Sequence, residues 1–411
     1  MEQNYVVYHL HDDKGSLLDS CTKWEDYVDL AASYGMKAIA STNHGYNLNW
    51  TEKKQYAEKK GLKFIVGCEV YLTSEIYHYP EIPDEVYESY QGWDPQEAQE
   101  EIGKMMDAER YKVRDNFHTI LLCKNARGVL ELNKVMSTSY DADHKYYKPR
   151  ITFEEFFGLS DNIIKISACL ASPLRKYTSE CDGFRQEVYD KLCETYDYYE
   201  IQYHDCDDQE YNQYLWELSK KYHKPLIAAT DTHSLNAYKA ECRKILMMGK
   251  GIEFTGEDEF DLTFKSYNEL VDAFTVQDAL PREVWMEAIE NTNRMADSVT
   301  DFTLSTKARY PILTGTSESD ANVYIKRTHD MLNDKIRRGI IPEYEVAQFK
   351  ADVEEELTVF KKTNMLGFML SMSDLMIWGK GEGIPFGPSR GSVAGSRCAF
   401  VTDIIDVDPA R

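Results

Sequence analysis

The sequence predicts an α/β fold, a barrel of seven strand–helix units followed by a mostly helical segment. Three observations predict it. Seven short apolar runs fall within the first 233 residues, segments of helical period lie between them, and from about Glu283 the chain reads as helix without further strands. Strands that alternate with helices build a mainly parallel sheet, because each crossover packs back over the sheet it leaves. Seven such units suggest a closed or nearly closed barrel, whose chemistry sits where its strands end.

The runs are 6–11 (VVYHLH), 38–44 (AIASTNH), 64–69 (FIVGCE), 118–123 (HTILLC), 163–169 (IIKISAC), 198–204 (YYEIQYH) and 226–233 (LIAATDTH). Most carry His, Asp, Glu or Cys at the exit of the run, and the fourth carries its His at the entrance. Among the intervening helices, 24–35 (WEDYVDLAASYG) puts Tyr27, Leu30, Ala31 and Tyr34 on one face and stops at Gly35. Segments 51–61, 184–197 and 209–223 have the same period. Residues 77–114 interrupt the pattern with a Tyr-rich, acidic stretch that turns helical, read as an insertion over the barrel mouth. Residues 234–280 read as a helical tail of the barrel domain. The domain boundary is expected at 280/281, and the second part, 281–411, ends in a Gly-rich turn at 383–396 (GIPFGPSRGSVAGS).

Composition narrows the function. A chain of 411 residues with 43% hydrophobic content can build two or three cored domains. No run approaches a membrane span, and the N-terminus has no basic segment leading into an apolar one. Nine scattered cysteines suggest free thiols in a reducing, cytoplasmic compartment. A net charge of −23 argues against a protein that coats nucleic acid, since neutralising phosphate takes Lys and Arg. Any contact with DNA must be local, through a basic patch or bound metal.

The run ends supply the candidate chemistry. His9 and His11 are two apart, so in a strand both imidazoles share a face, and Asp231 and His233 repeat that spacing. His44, Glu69 and Cys169 each close another run, Asp19 lies in the loop after the first, and His118 opens the fourth. A lone buried His is more often a satisfied core residue than a ligand, but runs ending H-x-H, N-H and D-x-H are hard to explain as packing. These nine residues, five of them His, would hold two or three ions. Mixed N, O and S ligation suits Zn, Fe or Mn rather than Ca or Mg. Adjacent divalent ions hydrolyse phosphate esters by activating water and neutralising charge. His78, His144, His204, His223 and His329 stay outside the set.

At this point the chain resembles a known family. HLH followed by SLLD, then STNHG, GCEVY, FHTILL, ISACLA and ATDTH, is similar to the successive motifs of PHP (polymerase and histidinol phosphatase) domains. The resemblance is closest to the PHP domains of bacterial DNA polymerase III alpha subunits, and it extends through YYKPRI, ENTNRMAD and the segment 364–396. It implies a PHP-type distorted (β/α)7 barrel leading into a polymerase-beta-like palm. All nine candidates fall on the family's metal-ligand positions, which implies a metal-loaded domain with possible 3′–5′ exonuclease activity. Glu69 would bridge ions, and Glu69 and Asp231 would be catalytic. The segment 383–396 resembles the Gly-Ser motif of the palm, where Arg390, Gly391, Ser392 and Ser396 would grip a nucleotide triphosphate. Gly387, Gly391 and Gly395 let backbone N–H groups approach phosphate.

Departures from the family pattern are a His11–Ser16 stretch one residue longer than usual, Asn43 for Asp, Ser389 for Gly, and Arg397 at an apolar position. The resemblance implies DNA, deoxynucleoside triphosphate, the remaining polymerase segments or a complementing chain, a sliding clamp and other replisome subunits as partners, with no membrane. It also implies Mg for the parent polymerase. The palm's Mg-binding carboxylates would follow the last residues, so this chain alone is expected not to extend a primer. Two other readings are a free-standing PHP-class phosphoesterase, against which the palm segment argues, and a metal-stabilised scaffold without chemistry.

Overall fold

The computed structural model describes residues 4–15, 20–79, 82–181, 183–204, 207–251, 260–305, 309–388 and 391–409. They form two compact units, Met1–Leu304 and Ser305–Arg411.

The first unit is a closed ring of seven chain segments with helices outside. Its strands among the described residues are β1 (Ala38–Ser41), β2 (Lys63–Thr73), β3 (Tyr77–His78), β4 (Tyr111–Lys112), β5 (Phe117–Cys123), β6 (Arg150–Thr152), β7 (Ile163–Ile166), β8 (Tyr199–Ile201) and β9 (Leu226–Ala228). The first apolar run is not a regular strand. It is held by single bridges, Val7 to Ile39 on one side and Leu10 to Thr232 on the other. From there the ring passes through β1, β2, β5 and β7, crosses by the Ile166–Tyr198 bridge to β8 and β9, and returns at Thr232.

The expected mainly parallel sheet holds everywhere in this ring except at β5, which runs antiparallel to both β2 and β7. The chain leaves β2 at the barrel mouth, makes the 77–114 excursion, and re-enters at the same mouth. A connection between two adjacent ends yields an antiparallel pair, whereas a parallel one needs a crossover. The reversal is why the fourth run carries its ligand at its entrance.

Inside the ring, Val6, Tyr8, Ala38, Ala40, Ile65, Ile120, Leu122, Ile164, Ile166 and Ile227 pack together. The floor is formed by helix Arg282–Ser298, which places Met295 and Ala296 in the same cluster, with Val299 just beyond. Its Thr292 accepts from the backbone N–H of Val6, and Asn291 donates to the Leu226 carbonyl. The expected boundary at 280/281 therefore moves to 304/305. Polar residues on this helix masked its role, since they satisfy backbone groups at the strand starts. The outer helices bury one face each. Helix Trp24–Ser33 buries Trp24, Tyr27, Val28 and Ala31, and Gly35 beyond it takes the left-handed φ of +71° that ends the turn.

The insertion is a two-stranded stalk, β3 with β4, carrying helices Asp84–Ser89 and Pro95–Glu109, neither of which buries a residue. The second unit is helical, as expected. Helices Ser317–Arg337, Val346–Lys362 and Leu366–Gly381 close around Tyr324, Phe349, Val353, Leu370 and Val401. Among the described residues, no helix is long and apolar enough to cross a membrane.

Candidate metal centre

The two paired motifs are zipped together by backbone. The N–H of Thr232 donates to the His9 carbonyl at 3.0 Å, and the N–H of His11 donates to the Thr232 carbonyl at 2.8 Å. Leu10 and Thr232 are bridge partners, so the flanking residues His9, His11, Asp231 and His233 turn to the same side. Asp231 is held at a φ of +42°, outside the ordinary L-residue range. His44 bridges to Glu69 on β2, and His118 lies two pairs further along, opposite Tyr71.

The side chains converge closely. Three groups have ligating atoms within 4.8 Å of one another: His11, His44 and His233; His9, His11 and Asp231; and His44, Glu69 and His118. His11 stacks between His44 and His233, each centroid 4.2 Å away. Glu69 is wholly buried and its two oxygens divide the site. Oε1 lies 2.7 Å from His118 Nδ1, while Oε2 lies 2.6 Å from His44 Nδ1 and 3.3 Å from His11 Nε2.

Seven of the nine candidates are thus in one cluster. Cys169 follows Ala168, which has a φ of +60°, and stands close enough to Asp231 and Glu69 for their charges to raise its thiol further, after burial has already pushed it well up. It belongs to none of the three tight groups. Asp19 lies outside the described residues.

The electrostatics call for cations. Burial would lower the His9 imidazole, but Asp231, Glu200 and Glu69 outweigh it and hold it well above its usual value. His11 goes the other way, to about 3, through burial and the neighbouring His44 and His233. Burial would raise Glu69 and Asp231, yet the surrounding imidazoles keep both carboxyls well below the usual range. His9 Nε2, Glu69 Oε2 and Asp231 Oδ1 are buried and make no well-directed hydrogen bond. Buried polar atoms without a directed hydrogen bond are costly, and all three are atoms of metal-ligating type. The residues therefore fit divalent ions bound by mixed N and O donors.

Residues 8–205 match the family model of the PHP domain, and residues 325–411 match that of the bacterial DNA polymerase III alpha NTPase domain. The chain thus carries a PHP domain followed by a bacterial DNA polymerase III alpha domain. Curated relatives named DNA polymerase III subunit alpha agree with it along its length. That of Aquifex aeolicus is 28% identical over 100% of this chain and 34% of its own length. That of Borreliella burgdorferi is 28% identical over 99% and 33%, and that of Helicobacter pylori is 27% identical over 100% and 34%. The chain thus spans about a third of the relatives it matches.

Sequence reasoning missed one group behind the PHP cluster. Glu200, buried on β8, accepts from His9 Nδ1 at 2.8 Å, from Gln202 Nε2 at 2.8 Å and from the Tyr8 hydroxyl at 2.9 Å. A carboxylate on Nδ1 fixes a proton there, so Nε2, facing Asp231, is the ring nitrogen that can give up its proton to a metal. The signal was in YYEIQYH, where alternation puts Glu200 and Gln202 on one face, but neither stands at the run's end, where most of the other donors fall. His204 pairs with Asp208 instead, His78 with Glu75, His144 with Glu155 and His329 with Glu354, while His223 takes a left-handed φ of +54° just beyond helix Asp207–Tyr222.

Asn43 is a strut. Its side-chain oxygen accepts from the Asp12 N–H at 2.8 Å and its carbonyl from the Glu69 N–H at 3.2 Å. Asp12 in turn holds buried Lys53, whose ammonium also donates to Ser41.

In the second unit, Gly391 has a φ of +91° and Ser392 is exposed. Ser396 is committed elsewhere. Its hydroxyl donates to Glu356 at 2.6 Å and accepts from Ala399 N as the cap of helix Arg397–Val401. Arg397 pairs with Asp352 at 3.1 Å. Arg390 lies outside the described residues.

Proposed function

We propose that the PHP unit is a metal-dependent phosphoesterase acting on the 3′ end of DNA, within the N-terminal part of a replicative polymerase. The observation that carries this is the convergence of His9, His11, His44, Glu69, His118, Asp231 and His233 into three ligating groups. Divalent ions, Zn, Mn or Fe, supply Lewis acidity and charge neutralisation to a phosphate ester. Cys169 and Asp19 complete the ligand set in this reading. The chain's own residues do the rest. Glu69 divides its oxygens among different histidines and so suits two ions at once, and Asp231 stands between His9 and His11 at 3.0 and 3.3 Å. Glu200 holds His9 in the tautomer that leaves Nε2 free to ligate.

The second unit contributes the turn at Arg390, Gly391 and Ser392 to grip an incoming deoxynucleoside triphosphate. Ser396 shapes that turn through its cap. DNA, nucleotide, Mg, the remaining polymerase segments, the sliding clamp and other replisome subunits are the partners of the whole protein in this reading, and the cytoplasm is its compartment.

Metal analysis of protein purified without chelator should give two or three ions per chain. With Mn or Zn added, mononucleotides should be released from a frayed 3′ end, and Asp231→Ala and His11→Ala should each abolish release. Less than one ion per chain with no uptake, or activity that survives both substitutions, would overturn the reading.

A further inference from the structure

An aromatic and cationic shelf stands beside the metal cluster, and the chemistry assigned above does not use it. It begins at the cluster itself. The Tyr71 ring lies 5.1 Å from His118 and 6.1 Å from His44, centroid to centroid. The Lys148 ammonium sits 5.2 Å above that ring. The segment carrying Lys148 is seated on the residue after His44, since a Cβ placed on Gly45 would stand 2.7 Å from the Pro149 ring and 3.3 Å from Tyr71.

Tyr147 is the unusual member. It is 87% exposed, and its backbone is left-handed at a φ of +60°. Tyr146 and Lys148 hold it there by exchanging two backbone hydrogen bonds, of 3.1 and 2.7 Å, across it. A bulky aromatic residue at positive φ carries strain that glycine would not. Exposure removes the usual compensation of burying the ring. Nearby, Tyr46 and Tyr140 are 39% and 37% exposed with ring centroids 5.8 Å apart, and the Lys145 ammonium lies 5.5 Å from the Tyr140 ring.

We propose that Tyr147 and Lys148, with Tyr46, Tyr140 and Lys145, form a subsite that holds the unpaired nucleotides of single-stranded DNA next to the metal cluster. Sequence-tolerant binding of single strands needs aromatic faces for the bases and cations for the phosphates. The shelf supplies both in an otherwise acidic chain. Lys148 touches the ring that touches His44 and His118, so a phosphate on its ammonium is next to the reacting ester. The inference rests on the metal-dependent phosphoesterase reading and names how that site holds its substrate.

The test uses the full chain loaded with Mn. Binding of a fluorescein-labelled oligothymidylate is read by anisotropy, its cleavage by mononucleotide release, and hydrolysis of bis(p-nitrophenyl) phosphate by absorbance. Tyr147→Ala should weaken oligonucleotide binding about 5- to 150-fold, the range for loss of one base–aromatic stack. It should raise KM and leave kcat and hydrolysis of the small diester unchanged. Tyr147→Phe should bind as the parent does, and Lys148→Arg should rescue the loss seen in Lys148→Ala. Tyr147→Gly should lose binding while keeping or raising thermal stability, which separates function from folding. Parent-level oligonucleotide binding by Tyr147→Gly and Lys148→Ala, with the small diester still hydrolysed, would overturn the subsite alone. No hydrolysis of either substrate by the parent would instead overturn the phosphoesterase reading.

Discussion

Replacing Glu200 by Gln tests how the cluster is prepared for metal. The carboxylate receives three hydrogen bonds, from His9 Nδ1, Gln202 Nε2 and the Tyr8 hydroxyl, all between 2.8 and 2.9 Å. Gln keeps the shape and removes the charge. If its oxygen stays on Nδ1, the bond becomes neutral, and the difference between a charged and a neutral hydrogen bond is about 1–1.5 kcal/mol. If its amide turns, an N–H faces Nδ1 and the proton moves to Nε2, the atom that faces Asp231 and Glu69. Either outcome weakens His9 as a ligand. The first corresponds to about a tenfold loss of affinity for the ion at His9, the lower end of the 10–100-fold range for groups behind metal-bound histidines. Glu200→Ala, which leaves Tyr8 and Gln202 without an acceptor, should approach the upper end. Competition of Zn or Mn against a chromophoric chelator measures the affinity, and circular dichroism checks the fold. A well-folded Glu200→Gln protein with parental affinity would refute the reasoning.

Three further outcomes follow from the packing. Met295→Ala should destabilise the first unit by about 2–5 kcal/mol in urea unfolding, as for a large-to-small change in a closed core, and a near-neutral result would mean that helix Arg282–Ser298 does not floor the barrel. Gly45→Ala, at a φ of +67° with no room beside Pro149, should cost about 1–3 kcal/mol and lower metal occupancy through the displaced His44; unchanged stability and occupancy would remove the proposed tight seat. Asp320 has its carboxyl held below the usual range by hydrogen bonds from the Thr314 hydroxyl and the backbone N–H groups of Leu313 and Thr314. A depressed folded-state value gives stability that is present above the ordinary carboxyl range, about pH 4, and is lost as pH falls through the folded value. Protection factors in helix Ser317–Arg337, which correct for the intrinsic slowing of amide exchange in acid, should therefore fall on acidification, and Asp320→Asn should flatten that dependence; equal pH profiles for parent and variant would contradict it.

Much of the site was legible because metal ligation constrains residue type and spacing together. H-x-H and D-x-H put two donors on one face of an extended chain whatever surrounds them, so His9, His11, Asp231 and His233 could be read from alternation alone. The helices between the runs were legible for a similar reason, since an apolar stripe such as Tyr27, Leu30 and Ala31 reports local geometry. The whole-chain motif order then pointed to the family.

Tertiary structure decided what depends on contacts distant in sequence. The direction of β5 was set by where the 77–114 excursion returns, and a strand's own residues carry no record of that. Glu200 became part of the site because the ring brings β8 beside the His9 segment, 191 residues away in sequence. Helix Arg282–Ser298 joined the barrel because Thr292 and Asn291 meet unpaired backbone groups of residues 6 and 226. Ser396, read as a nucleotide contact, is taken up by Glu356, forty residues before it. Local patterns fix which face of an element is apolar and which donors share it. Only closure of the fold decides which buried polar atom meets which partner, because each pairing is settled by burial and geometry at once.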